Sequence, residues 1–264
     1  MTKHPNRFGP VWLQEGVTSG NMMALILGGL TTIGLLTFIA LGTPYVLTVY
    51  LDIPQSQQGA LSGYLHTFQE VVALAVFAPL GIMADRIGRR SVYVGSFLIM
   101  AIGYGMYSYA SSVPELYAYR FVYAIGVAGC TGMLGTITAD YSLDRSRGLL
   151  VAAVGVLNAI GVIVGAIVLG KLPQMFVKGG ASPEAAGHDA FLVVTGICVV
   201  VGLLLAVGLK GGTPVDKAHR LSLPELVRSG LAEARNPRIA LSYACGFIAR
   251  SDLVLLGTYS VLWG

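Results

Sequence analysis

The sequence predicts an all-α membrane protein, and both composition and hydropathy support this fold class. Of the 264 residues, 55% are hydrophobic and only 11% are charged, and the mean hydropathy is +0.72. Soluble domains contain about 25% charged residues. The apolar residues also form continuous stretches long enough to cross a bilayer, which requires about 20 apolar residues per helix. These observations exclude a soluble globular domain.

Seven apolar stretches are predicted to be transmembrane helices. They cover residues 22–50, 57–83, 91–111, 114–139, 149–170, 190–209 and 239–261. Thirteen of the 17 Lys and Arg residues flank these stretches on one side, whereas the opposite loops contain only Lys171 and Lys178. Because positively charged loops remain on the cytoplasmic side, the N-terminus is predicted to be cytoplasmic.

The segment 210–238 separates the sixth stretch from the seventh. Ser222-Leu-Pro-Glu225 predicts a capped helix start with proline in the first turn, and leucines at helical spacing follow it. A short amphipathic helix on the inner membrane surface is therefore predicted. The predicted organisation is a cytoplasmic N-terminal segment, a six-helix bundle, a cytoplasmic linker and a seventh transmembrane helix, at residues 1–21, 22–209, 210–238 and 239–264.

The most specific motif lies between the second and third stretches. It combines two glycines, one aspartate and three arginines: Gly81, Asp85, Arg86, Gly88, Arg89 and Arg90. A stop-transfer cluster would explain the arginines as membrane anchors, but it requires neither the glycines nor the aspartate. The pattern resembles the signature loop between the second and third helices of the major facilitator superfamily of transporters.

A second charged loop, after the fourth stretch, resembles the corresponding loop of the same superfamily. It places Asp140 seven residues before the pair Arg147-Gly148. In that superfamily such carboxylates and guanidinium groups lock helix ends together on the closed inner side and release them on opening. The resemblance assigns this role to Asp85, Arg86, Arg89, Asp140 and Arg147. Solvated surface charges of little individual weight are the alternative, above all for Asp144 and Arg145.

The resemblance implies a secondary transporter in which two six-helix halves rock against each other around a small solute. This chain would correspond to the six-helix N-terminal bundle plus one further transmembrane helix, that is, to a truncated twelve-helix architecture. Spans one to three and four to six would be two three-helix repeats of inverted topology. The implied location is the plasma (inner) membrane, and the expected partners are lipid, a small solute and, as an option, a coupled proton.

Polar residues inside the spans are the candidates for binding substrate or a proton, because charges at mid-membrane are costly and usually functional. His66, Gln69 and Glu70 share one face of span two at i, i+3 and i+4. Arg250 and Asp252 fall near the middle of span seven. A buried Glu–Arg pair that only holds helices together is the alternative, as is a helix-contact role for His66.

Arg120 begins an arginine-then-glycine pattern in span four that also resembles the superfamily. It lies about six residues, roughly 9 Å, from the outer end of its span. The side chain could therefore face a cavity or extend to the membrane surface. In span one, Pro44 and Tyr45 suit a cavity-lining helix, and in span five Gly161-x-x-x-Gly165 predicts close helix packing.

Other functional classes fit the sequence less well. A seven-helix receptor needs an external N-terminus, contrary to the loop charges. No cluster of nucleophile and base, no metal-ligand spacing and no cofactor motif indicates an enzyme, and Cys130, Cys198 and Cys245 stand singly in apolar segments. A nucleic-acid binder would cluster its charge on a polar surface. A membrane sensor or assembly protein without transport activity remains open as the alternative to a transporter.

Overall fold

A computed structural model describes residues 6–212 together with residues 232, 235–237, 240, 241 and 245. A two-stranded hairpin precedes the first helix, and a 3-10 turn (Leu169–Lys171) joins the fifth helix to the sixth. The strands are β1 (Arg7–Phe8) and β2 (Val11–Trp12). The helices are α1 (Ser19–Val49), α2 (Gln55–Ile87), α3 (Arg89–Tyr107), α4 (Val113–Tyr141), α5 (Asp144–Val168), α6 (Leu172–Lys178) and α7 (Pro183–Gly208).

Within residues 6–212 all helices except the short α6 are long enough to cross a membrane, and five segments are also apolar enough. The exception in apolarity is α3, which begins with two arginines and carries several tyrosines. Its tyrosines are buried among the neighbouring helices. Several helices extend beyond the apolar stretches, because helical hydrogen bonding continues past the bilayer core while hydropathy marks only the core. The predicted linker helix and seventh span fall almost entirely outside the described residues.

The helix pairings match two inverted three-helix repeats. Helix α1 packs against α5 as α4 packs against α2, and α3 packs against α7. Exchanging the first three long helices with the second three maps these pairings onto one another, as expected for two three-helix repeats. The six-helix bundle predicted from the sequence is confirmed for residues 19–208.

Glycines allow the backbones of α1 and α5 to touch. A Cβ atom on Gly34 would lie 2.5 Å from the carbonyl oxygen of Gly161, and one on Gly161 would overlap the carbonyl oxygen of Leu30. A Cβ on Gly165 would likewise overlap the Gly34 carbonyl. The close packing predicted from Gly161-x-x-x-Gly165 is confirmed, and its partner is α1.

The N-terminal hairpin packs beneath the α4–α5 connection. The Trp12 carbonyl accepts a hydrogen bond from the Leu143 amide at 2.9 Å, and the Trp12 amide donates to the Ser146 hydroxyl at 3.0 Å. The Arg145 guanidinium lies 3.6 Å from the centroid of the Trp12 ring, a cation–π contact. This end of the bundle, where the hairpin meets the α2–α3 and α4–α5 connections and residues 209–212, is called the basic end below.

Candidate functional site

A cavity of about 650 Å³ lies at the end of the bundle opposite the basic end. Its walls are the C-terminal half of α1, the N-terminal half of α2, one residue of α4 and the segment 170–174. The polar and charged side chains among its lining residues are Thr43, Tyr45, Thr48, Gln55, Gln58, Ser62, His66, Arg120 and Gln174. Ligand cavities in proteins typically measure about 300–1,000 Å³, so the volume suits a small solute.

Helix α1 presents its proline turn to this cavity. Pro44 lacks the N–H group that would bind the Ala40 carbonyl, and both residues line the cavity. The Thr43 hydroxyl donates to the Ile39 carbonyl at 2.6 Å, and the Thr48 hydroxyl donates to the Pro44 carbonyl at 2.9 Å. The predicted cavity-lining role of Pro44 and Tyr45 therefore agrees with the structure.

Helix α2 contributes a polar stripe of Gln58, Ser62 and His66, spaced four residues apart. The Gln58 side-chain amide donates to the Thr48 hydroxyl at 2.9 Å and to the Ile53 carbonyl at 2.8 Å, so it ties the start of α2 to the end of α1. The sequence analysis identified His66 but missed Gln58 and Ser62. Extending the i, i+4 spacing from His66 toward the start of the helix would have found both.

Arg120 is the charged group of the cavity lining. Its side chain is only 1% exposed, and its guanidinium carbon lies 5.7 Å and 5.8 Å from the ring centroids of Tyr107 and Tyr123. Within the described part of the chain, its Nε and Nη1 atoms have no hydrogen-bond partner. Arg120 is therefore held inside the bundle and does not extend to the membrane surface.

The structure separates the predicted group on span two. His66 lines the cavity, and its Nδ1 atom has no hydrogen-bond partner among the described residues. Gln69 is buried and Glu70 is half-buried, but neither lines the cavity, because the lining stripe continues from His66 toward Gln58 rather than toward the middle of the membrane. Arg250 and Asp252 lie outside the described residues.

At the basic end, Arg89 of α3 forms an ion pair with Asp140 of α4, which joins the signature loop to the second charged loop. The preceding residue, Gly88, has a φ of +96°, and a Cβ atom there would lie 2.7 Å from the Gly212 carbonyl oxygen. A side chain at this position would therefore be strained. This conformation explains why the loop requires a glycine immediately before Arg89.

The structure gives partners to part of the predicted latch. The charge of Asp85 acts on Arg89, whose ion-pair partner is Asp140. Arg147 pairs with Asp144, 2.6 Å away and one turn earlier on α5, because α5 begins at Asp144 and places both side chains on one face. The latch role of Asp85, Arg86 and Arg147 stays a prediction.

Comparison with known families agrees with this architecture. The family model described as "Major Facilitator Superfamily" matches residues 24–262. The chain belongs to this superfamily.

Curated relatives in the superfamily include proteins with two kinds of name. The chain is 29% identical to the magnetosome protein MamH of Paramagnetospirillum magneticum over 86% of its own length and 52% of that protein. It is 28% identical to inorganic phosphate transporter 1-1 of Oryza sativa subsp. japonica over 61% of its length and 31% of that protein. The chain thus spans about half, or less, of the length of these relatives.

Solved structures support the fold. A crystal structure of a D-xylose-proton symporter aligns with a TM-score of 0.56 and 19% identity, covering 87% of this chain and 55% of the symporter. A bacterial homologue of the human lysosomal transporter Spinster aligns with a TM-score of 0.57 and 21% identity, covering 82% of this chain and 50% of that one. At these identities the likeness concerns the fold alone.

Proposed function

We propose that the protein is a secondary active transporter that moves a small solute across the membrane by alternating access. The observation that carries this proposal is the cavity at one end of the bundle, in which a fully buried arginine lines the wall. Superfamily membership supports the same function. The proposal includes multi-pass insertion in the plasma (inner) membrane, as the family resemblance implies, and the loop charges support a cytoplasmic N-terminus.

The two ends of the bundle suggest how access alternates. The Arg89–Asp140 ion pair holds α3 and α4 together at the basic end, while the cavity lies at the opposite end. An ion pair that is only partly buried can be broken at modest cost, since its side chains are 22% and 41% exposed. Because both residues belong to one six-helix bundle, breaking the pair would change the surface that the basic end presents to the second half, and this change would favour opening of that end when the cavity end closes.

Solute counterflow in proteoliposomes tests the proposal. The full protein is purified and reconstituted, and the exchange of radiolabelled inorganic phosphate, succinate and D-xylose is measured against protein-free liposomes. Exchange of at least one class of solute, dependent on the protein, is the expected result. The absence of exchange for these and a wider panel of small solutes would contradict transport.

A sensor or assembly protein without transport is the second candidate. Its support is that one relative, MamH, is named for the magnetosome and not for a transported solute. The counterflow experiment separates the two candidates, because a sensor would bind a ligand without exchanging it.

Glu70 is proposed as the proton carrier of the transport cycle. This proposal rests on the position of Glu70 near the middle of span two, where ionisable side chains are rare and usually functional. Replacing Glu70 by Gln should abolish uptake driven by an imposed pH gradient while retaining counterflow, because counterflow needs no net proton movement. Unchanged gradient-driven uptake in the Gln variant would rule out this role.

Asp85 is expected to support the closed state from a distance. Asp85→Asn removes a negative charge that stabilises the guanidinium of Arg89, so the charge cluster at the basic end should lose part of its electrostatic stabilisation. Transport should fall several-fold while the amount of protein in the membrane stays unchanged. Uptake normalised to membrane expression measures this, and normal uptake would reduce the loop to a membrane anchor.

A further inference from the structure

We infer that the cavity binds the oxyanion group of its solute, a carboxylate or a phosphate, through Arg120. The inference rests on the proposed transport function and specifies the chemical class of the solute. It follows from the charge of the lining, the unused donors of Arg120 and the polar groups that surround it.

The charge of the cavity lining is unbalanced. Its described residues include Arg120 but neither an aspartate nor a glutamate. An arginine that is 1% exposed, with no carboxylate among the described residues that line the cavity with it, is costly, because a charge removed from water needs a counter-charge or several hydrogen bonds. A bound anion supplies both, whereas a neutral solute would leave the charge uncompensated.

The surroundings of Arg120 favour a ligand that presents two acceptor oxygens side by side. Tyr107 and Tyr123 lie near the guanidinium at cation–π distances. The Tyr123 hydroxyl bonds to the Tyr104 hydroxyl and the Leu36 carbonyl. Among the described residues, the Tyr107 hydroxyl and the Nε and Nη1 atoms of Arg120 have no hydrogen-bond partner. The donors of the guanidinium therefore remain available for a ligand. Carboxylate and phosphate groups accept two parallel hydrogen bonds from this fork, which a lysine cannot provide.

The neighbouring polar groups complete the site. Ser62 and His66 offer a hydroxyl and an imidazole on the same wall of α2, and Arg120 is close enough for its charge to act on His66. The Gln58 amide nitrogen already donates hydrogen bonds to Thr48 and Ile53, so it stabilises the cavity wall and is not counted among the ligand-binding groups. The volume of about 650 Å³ leaves room for an organic portion beyond the oxyanion.

Thermal unfolding of the purified full protein tests the inference. Melting temperatures are measured in a low-chloride buffer without ligand and with inorganic phosphate, succinate or D-xylose, each at 10 mM. The variants are Arg120→Gln, which removes the charge, and Arg120→Lys, which keeps the charge but not the fork. The control is Lys178→Gln, which removes an exposed cation at the same end of the bundle that does not line the cavity.

At least one of the two anions should raise the melting temperature of the unaltered protein by roughly 5 °C at saturation, whereas D-xylose should not. The shift should disappear in Arg120→Gln, shrink in Arg120→Lys and persist in Lys178→Gln. An equal shift in Arg120→Gln overturns the inference, as does no shift with either anion. If the Gln variant does not fold, the Lys variant decides: a shift as large as that of the unaltered protein overturns the inference.

The outcomes for binding and for transport can be told apart. Stabilisation and counterflow by D-xylose alone would overturn the oxyanion site but leave the transporter intact. Arg120-dependent stabilisation by an anion without any counterflow would support the site and contradict transport. Stabilisation by phosphate and not by succinate, or the reverse, supports the site and identifies which oxyanion it binds.

Discussion

Replacing Gly161 by alanine is expected to destabilise the six-helix bundle severely, although it adds only one methyl group. The new Cβ atom would overlap the carbonyl oxygen of Leu30, a backbone atom of α1 that cannot rotate away. The helices would have to move apart along their contact. Overpacking of this kind lowers the free energy of unfolding by about 3 kcal/mol. Thermal unfolding in detergent and the monodisperse fraction on size-exclusion chromatography measure the effect.

Gly155 provides the matched control for this substitution. It lies on the same helix, but a Cβ atom there has no heavy atom within 4 Å. Gly155→Ala should therefore be neutral or slightly stabilising, since alanine is the better helix former by about 1 kcal/mol. The expected result is a large fall in melting temperature for Gly161→Ala and no fall for Gly155→Ala. Equal melting temperatures for both would show that the α1–α5 contact is looser than described.

Replacing Asp140 by asparagine is expected to reduce transport about tenfold or more. The substitution leaves Arg89 without its ion-pair partner at the basic end, so that the state in which this end is closed loses stability relative to the open state. A shift of 1.4 kcal/mol between two states changes their ratio tenfold. Uptake in proteoliposomes, normalised to reconstituted protein, measures the effect.

Two further variants test whether the loss of transport comes from breaking the Arg89–Asp140 ion pair or from removing any charge at this end. The exchanged pair Arg89→Asp with Asp140→Arg should recover part of the transport, because it restores the ion pair with reversed polarity. Asp144→Asn should retain nearly normal transport, since its pair with Arg147 is 88% exposed on the aspartate side and such pairs contribute little. Equal losses in Asp140→Asn and Asp144→Asn would contradict a specific role for the Arg89–Asp140 pair.

A close helix contact could be predicted from the sequence where glycines at helical spacing have one main physical explanation. Gly161 and Gly165 indicated a close helix contact because only glycine permits touching backbones. The partner helix was not predictable, since Gly34 lies more than 120 residues earlier and shares no local pattern with them. The N-terminal hairpin was missed for a similar reason: its burial depends on the Trp12 hydrogen bonds to Leu143 and Ser146, which are distant in sequence.

The candidate site was predictable only in part. Arg120 and His66 were identified because a charge or an imidazole inside an apolar stretch is unusual. Their meeting in one cavity was not, because the spacing that selected His66, Gln69 and Glu70 describes a face of one helix and not what lies opposite it. The ion pairs of Arg89 and Arg147 also depended on helix ends that hydropathy locates only to within a few residues.

The sequence by itself determined that the protein is helical, that it resides in a membrane and which family it resembles. Long apolar stretches and the sidedness of basic loops are local properties, and hydrogen bonding within each helix satisfies the backbone without a partner. The tertiary structure decided which polar residues face the cavity, that Arg120 is enclosed by Tyr107 and Tyr123, and that Asp140 rather than Asp85 pairs with Arg89. These facts depend on how helices rotate and pack, and packing is set by side chains far apart in the chain.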